Sequence, residues 1–267
     1  MSLLDDLLDD LKAEGDRLWT AVSGLDASAD GGWATPTPAA GWTVATQVAH
    51  LLWTDEVATI AATPTPEGKQ AWDELVLAAI EDPLGYVDAQ ALEVARLAPE
   101  ALLARWGAAR AALPQALRDF PEGQKMPWFG PPMSPASMAT ARFMETWAHA
   151  LDVYEALGID PERSDRIRHV AHLGVRTRGF AFSVHGLEAP SEEVRIDLVA
   201  PSGEQWSWGP EDAAQTVTGS AWDFCLLVTQ RVHRDDTDLV ATGSDAEQWL
   251  RIAQAFAGPA GEGRAKR

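Results

Sequence analysis

Arg142-Phe143-Met144-Glu145-Thr146-Trp147-Ala148-His149-Ala150-Leu151-Asp152-Val153 is the stretch on which the reading of this chain turns. Side chains four apart share one face of an α-helix, so the Glu145 carboxylate and the His149 imidazole can converge. Phe143, Trp147, Ala150, Leu151 and Tyr154 surround the pair with apolar surface, where an unpartnered carboxylate is costly. A lone histidine, His50, stands in a second apolar run, Val44-Ala45-Thr46-Gln47-Val48-Ala49-His50-Leu51-Leu52-Trp53. Two imidazoles and one carboxylate would leave a coordination position for water or substrate, the pattern of catalytic rather than structural zinc. The competing reading is plain: Glu and His recur four apart by chance, and a lone His in a helix is commonly a hydrogen-bonded core residue.

The segments Gly41-Trp42-Thr43-Val44-Ala45-Thr46-Gln47-Val48-Ala49-His50-Leu51 and Arg142 to Val153 resemble the DinB-like superfamily. Within it they are most similar to the branch typified by mycothiol-dependent maleylpyruvate isomerase. The resemblance spans roughly residues 1–160 and continues more weakly to the end. It implies an N-terminal four-helix metal-binding bundle, with a zinc-ligating His on the second helix and a Glu and His four apart on the last. On this chain those positions are His50, Glu145 and His149. Thr216-Val217-Thr218-Gly219-Ser220-Ala221-Trp222-Asp223 and Thr242-Gly243-Ser244 resemble the sterol-carrier-like C-terminal domain of the same family.

What the resemblance implies about chemistry is a zinc ion, or another divalent metal, holding the thiol mycothiol as a nucleophilic thiolate. Such a thiolate serves an isomerase by adding to a cis alkene and leaving after rotation, or an S-transferase by displacing a leaving group. Two alternatives stay open. The metal would act as a Lewis acid in a lyase or cyclase without a thiol, or the protein would be a noncatalytic metal-binding stress or ligand-binding protein.

Length and composition fit one or two globular domains. The net charge of −19 argues against nucleic acid and anionic membranes as partners, since both repel an acidic surface. The expected partner is a small-molecule substrate, with a low-molecular-weight thiol beside it. A single cysteine, Cys225, excludes an intrachain disulfide, and the acidic, amphipathic start lacks the pattern of a targeting sequence, so a cytoplasmic location is expected. No run reaches the roughly 18 apolar residues of a membrane span. Cys225 lies in Trp222-Asp223-Phe224-Cys225-Leu226-Leu227 and reads as a buried small hydrophobe.

The spacing predicts helices over residues 3–23, 43–62, 66–79 and 85–117, the last bent or interrupted near Pro99, with Pro114 demanding a kink or an early stop. Residues 121–135 hold too many prolines for a regular element. This loop either plugs the bundle end or brings Trp128, Phe129 and Met133, with Trp53 from the second helix, to a substrate pocket. Ser134 or Ser137 should cap the ligand helix and Gly158 should stop it. Beyond it, residues 165–185 read as helical, Val194–Val199 and Gln205–Trp208 as a hairpin, residues 213–219 and 238–242 as further strands, and residues 220–232 and 245–256 as helices.

The fold class expected is therefore α+β: a DinB-like four-helix bundle over 1–160, a small sterol-carrier-like α+β domain over 161–257, and a disordered tail over 258–267. Around the metal, Arg142 and Asp152 lie one turn to either side of the ligand pair and are candidates to orient ligands or bind a substrate carboxylate; an ordinary ion pair is the alternative. Asp55 and Glu56 lie off the face of His50. His169 and His172 read as solvated rather than as a second metal site, and Arg231 and Arg234 as candidate contacts for an anion.

Overall fold

The chain alternates between helices whose apolar stripes need one another and, past residue 190, short strands with a period of two. The computed structural model describes residues 2–261 and 263–267. They fall into two compact units, divided between Pro161 and Glu162.

In the first unit, α1 (Leu3–Val22), α2 (Val44–Ala61), α5 (Pro99–Asp119) and α6 (Pro135–Leu157) form the bundle. α3 (Pro66–Glu81) and α4 (Tyr86–Val94) pack outside it against α2. α1 starts at Ser2, whose hydroxyl accepts from the Asp5 amide while the Asp5 carboxylate accepts from the Ser2 amide. α2 starts at Thr43, as its sequence predicts, and is apolar on nearly every side. A helix of that kind belongs in the middle of a bundle, and Val48, Leu51, Leu52 and Ala58 are fully buried there. Each of its buried leucines contributes about 1.5–3 kcal/mol of transfer free energy. That burial places His50 inside the bundle.

The expected helix over 85–117 is two helices. Pro99 opens α5 at its first position, and the residue before a proline is driven to an extended conformation, which Ala98 adopts at φ −58 and ψ 146. Pro114 neither stops α5 nor sits in its first turn; the helix runs on to Asp119.

The loop between α5 and α6 closes one end of the bundle. Met126 and Met133 exchange backbone hydrogen bonds of 2.8 and 3.0 Å. Met126, Phe120 and Met138 are buried with Leu7, Leu8, Leu113 and Leu117, and Trp128 and Met133 pack against that cluster. α6 then starts at Ser134, whose hydroxyl accepts from the Ser137 amide, and ends at Gly158 in the left-handed conformation, φ 66.

The second unit is built on a four-stranded sheet of β1 (Val194–Val199), β2 (Gln205–Trp208), β3 (Gln215–Ser220) and β4 (Val240–Thr242) in the order β2-β1-β3-β4. β1 runs antiparallel to β2 and parallel to β3, and β3 antiparallel to β4. Val194, Ile196 and Leu198 point inward on alternate positions of β1. Among the described residues the α-helices α7 (Arg168–Arg176), α8 (Arg178–Val184), α9 (Ala221–Val228) and α10 (Ser244–Ile252) accompany the sheet, with α9 and α10 contacting it. α9 stops short of the expected 232 where Gln230 takes φ 58. The tail expected to be disordered takes no helix or strand at its described positions; Lys266 reaches Asp235 at 3.0 Å and the Arg267 amide reaches Asp236 at 2.7 Å.

Candidate metal centre

His50 projects from α2 and is buried, and Glu145 and His149 project from α6 and are half-buried. Each offers one donor atom, and the three atoms lie within 4.8 Å of one another. Among the described residues this is the one group of three or more His, Cys, Asp or Glu side chains so gathered. Glu145 Oε2 stands 3.3 Å from His50 Nε2 and 3.2 Å from His149 Nε2. The imidazole centroids are 4.4 Å apart. Burial by itself would raise the Glu145 pKa, but protonated His149 and His50 imidazoles facing Oε2 outweigh it and hold the carboxyl well below its usual range.

The surroundings discriminate between the two imidazoles. His149 Nδ1 is hydrogen-bonded to Gln47 Oε1, while His50 Nδ1 is buried with no hydrogen-bond partner among the described residues. With Nδ1–H donated to Gln47, a neutral His149 turns the Nε2 lone pair on the carboxylate oxygen of Glu145. Two acceptors at 3.2 Å repel unless a proton or a metal cation lies between them. The donor set therefore fits a divalent ion bound through Nε2, Oε2 and Nε2, with borderline N and O ligands suited to zinc and its neighbours.

Trp42 covers both rings. Its centroid is 5.7 Å from that of His149, with planes 16° apart, and 5.5 Å from that of His50. The loop that carries it is a narrow hairpin: Pro36 bridges Thr43, the Thr37 amide donates to the Trp42 carbonyl at 2.8 Å, and Gly41 turns at φ 77 where a side chain would be strained.

Arg142 takes the ion-pair alternative. It is 2% exposed and donates from Nε to Asp55 Oδ1 at 2.9 Å, with a longer contact from Nη2 to the Leu51 carbonyl. It ties α6 to α2 next to the ligands and does not touch them. Asp152 is buried and reaches the ligands through Gln47, whose Nε2 lies 3.5 Å from Asp152 Oδ2. Glu56 pairs with Arg105, off the His50 face as expected.

Of the four residues expected to line a substrate pocket, Trp53 stands three positions beyond His50 and stacks on Phe129 at 6.3 Å. Phe129, Trp72, Tyr86 and Trp128 continue the aromatic contact across α3, α4 and the loop. Met133 packs instead on the bundle-end cluster.

In the second unit, Arg234 bonds Thr237, the Leu239 carbonyl and Glu247, and Arg231 bonds the Thr229 carbonyl. His172 Nδ1 accepts from Trp208 Nε1 at 3.4 Å; burial, then Arg176, His169 and Arg168, push its pKa down. Cys225 is fully buried and its Sγ donates to the Ile167 carbonyl at 3.4 Å, and burial raises the thiol pKa well above normal.

Gln47, Thr37 and Trp42 were not singled out by the sequence. A signal for Gln47 existed: an amide in the apolar run of α2, three residues before His50, must find partners once buried, and here it is 0% exposed.

A bundle that gathers two imidazoles and a carboxylate from two helices, with a mixed α+β unit after it in the chain, defines a recognisable class of protein. Residues 11–154 match the family model described as the mycothiol maleylpyruvate isomerase N-terminal domain, and the chain belongs to that family. Residues 190–242 match a second model, described as wyosine base formation. A Mycobacterium tuberculosis protein, described as uncharacterized protein MT0041 in strain CDC 1551 / Oshkosh and Rv0036c in strain ATCC 25618 / H37Rv, is 54% identical over 255 residues, covering 96% of each chain. The crystal structure of the mycothiol-dependent maleylpyruvate isomerase superposes with a TM-score of 0.57 at 17% identity, covering 89% of this chain and 92% of that one. A histidine-to-alanine mutant of that enzyme gives 0.58 at 16% identity, with the same coverage. At that identity the likeness is one of fold.

Proposed function

We propose that this protein is a divalent-metal-dependent enzyme, with zinc as the expected ion, that uses a low-molecular-weight thiol such as mycothiol to isomerise a small electrophile or to transfer the thiol to it. The observation that carries this is the convergence of His50, Glu145 and His149 donor atoms within 4.8 Å. Family membership supports the thiol-dependent isomerase side of the reading.

The bound metal would supply Lewis acidity, lowering the pKa of a thiol so that it acts as thiolate at neutral pH. The chain's own residues prepare that position. His50 and His149 present Nε2 and Glu145 presents Oε2, so one negative charge offsets part of a divalent ion and leaves net attraction for an anionic sulfur. Trp42 stacks on the His149 imidazole and lies tilted against that of His50, giving the site an aromatic side. Trp53 and Phe129 give the neighbouring wall an aromatic surface suited to an organic substrate. The ion pair of Arg142 with Asp55 supports a role in holding α6 against α2.

The wyosine description concerns residues 190–242, the sheet of the second unit, and the net charge of −19 weighs against an RNA substrate.

The test is metal content by plasma mass spectrometry on the wild type beside His50→Ala, Glu145→Ala and His149→Ala, followed by turnover assays with a thiol and activated cis alkenes or alkylating electrophiles. About one zinc per chain is expected in the wild type and none in the folded variants. Metal binding without thiol turnover would overturn the thiol-dependent reading and leave a thiol-free lyase or cyclase or a noncatalytic binding protein; wild type that cannot be loaded with any divalent metal would end the metalloenzyme reading.

A further inference from the structure

We infer that Gln47 is a positioning residue that fixes the tautomer of His149, and that Thr37 and Asp152 set the direction of its amide. The consequence for metal affinity rests on the function proposed above; the tautomer itself rests on hydrogen bonds alone. Gln47 is fully buried, so both ends of its amide must be satisfied within the protein.

Thr37 Oγ1 donates its one proton to the Trp42 carbonyl at 3.2 Å, which leaves that oxygen as an acceptor. Gln47 Nε2 lies 2.9 Å from it. On the same side stands Asp152 Oδ2 at 3.5 Å, a carboxylate oxygen that can only accept. Two acceptors on one side require the amide nitrogen there. Turning the amide over would set Oε1 against both oxygens and leave them facing a third acceptor. With the nitrogen so placed, Oε1 faces His149 Nδ1 and can only accept from it. His149 therefore carries a proton on Nδ1, and Nε2 points at Glu145 Oε2 as the atom available to a metal.

The relay runs from a backbone carbonyl to a ligand: Trp42 C=O, Thr37 hydroxyl, Gln47 amide, His149 imidazole. Trp42, at its start, is also the ring stacked on His149, so one loop sets both the tilt and the protonation pattern of this imidazole. His50 has no such support among the described residues, where its buried Nδ1 finds no hydrogen-bond partner. The two histidines are unequal: His149 is preset and His50 is not.

Long-range 15N–1H correlation spectra of the metal-free and zinc-loaded protein test this directly. A protonated Nδ1 at His149 is expected in both, and Gln47→Leu should weaken zinc affinity about 10–100-fold in a competition titration while the fold is kept. A His149 without a proton on Nδ1 in the metal-free wild type overturns the inference, whether or not the variant folds. Unchanged zinc affinity in folded Gln47→Leu also overturns it, while leaving the metal site intact. Wild type that never binds zinc would instead sink the proposed function, and the metal-free spectrum would still decide the tautomer.

Discussion

Arg142 shows how a residue that reads as functional is held by a structural partner. Its guanidinium and the Asp55 carboxylate are 2% and 4% exposed and 2.9 Å apart, so each makes the burial of the other tolerable. Arg142→Met should destabilise the protein by about 3–5 kcal/mol in urea denaturation, whereas Arg142→Met with Asp55→Val should lose much less, because no charge is then stranded. Burial, working against Arg142, raises the Asp55 pKa above its ordinary 3.8. A carboxyl whose folded pKa is raised contributes stability that is full below the unfolded value and is lost as pH rises through the folded one. The single variant, in which the opposing Arg is gone, should therefore be less impaired at acidic than at neutral pH. Cys225 offers a second check: a buried thiol with a raised pKa is a poor nucleophile. Ellman's reagent should leave it unmodified in the native protein and titrate about one thiol in guanidinium; rapid native reaction would refute the burial. The cluster of His50, Glu145 and His149 was legible because each is a chemically distinctive type and two of them stand at a helical spacing. Gln47 and Thr37 were not, since an amide and a hydroxyl gain meaning only from what they face.

Helix α6 holds two of the three ligands, and its length depends on how it ends. Gly158 takes φ 66 with open space where a Cβ would stand, so a substitution there meets backbone strain and no clash. Gly158→Ala should cost about 1 kcal/mol and Gly158→Asn less, read from the shift in urea midpoint; an Ala variant as stable as wild type would show that the left-handed cap is dispensable. Ends of this kind were legible in the sequence because they rest on single residues: Thr43, Ser134 and Gly158 act where they were expected to. The sequence marks the break between α4 and α5 near Pro99 but leaves open whether it is a bend or an interruption. α4 ends at Val94 in a turn over residues 95–97, and the extended conformation of Ala98 before Pro99 completes the separation. Of the two outcomes expected at Pro114 the early stop does not occur, and packing of Leu113 and Leu117 carries α5 past it. The loop over 121–135 was readable as irregular from its prolines. Its division between a plug at Met126 and Met133 and an aromatic contact at Phe129 was not, since both depend on residues from α1, α2 and α3.

At the scale of the molecule, metal binding and the second unit are separable in the chain. His50, Glu145 and His149 lie before residue 161, and so do Thr37, Trp42, Gln47 and Asp152, which hold or cover them. The bundle's core is likewise internal, built from α1, α2, α5 and α6. If affinity is set by donor geometry and its hydrogen-bonded supports, it should travel with this unit alone. A fragment of residues 1–161 should fold as a helical protein by circular dichroism and bind zinc within about tenfold of the full chain, and residues 162–267 should bind none at the same concentration. Zinc at about 100 times its dissociation constant should then stabilise both the fragment and the full chain by about 2.7 kcal/mol, because an ion that binds only the folded state shifts unfolding by mass action. Equal zinc-dependent gains in thermal midpoint for the fragment and its parent would place the centre wholly within the bundle. A fragment that folds but gains nothing from zinc would mean that the second unit supplies a ligand, and the His50, Glu145 and His149 set would then be incomplete.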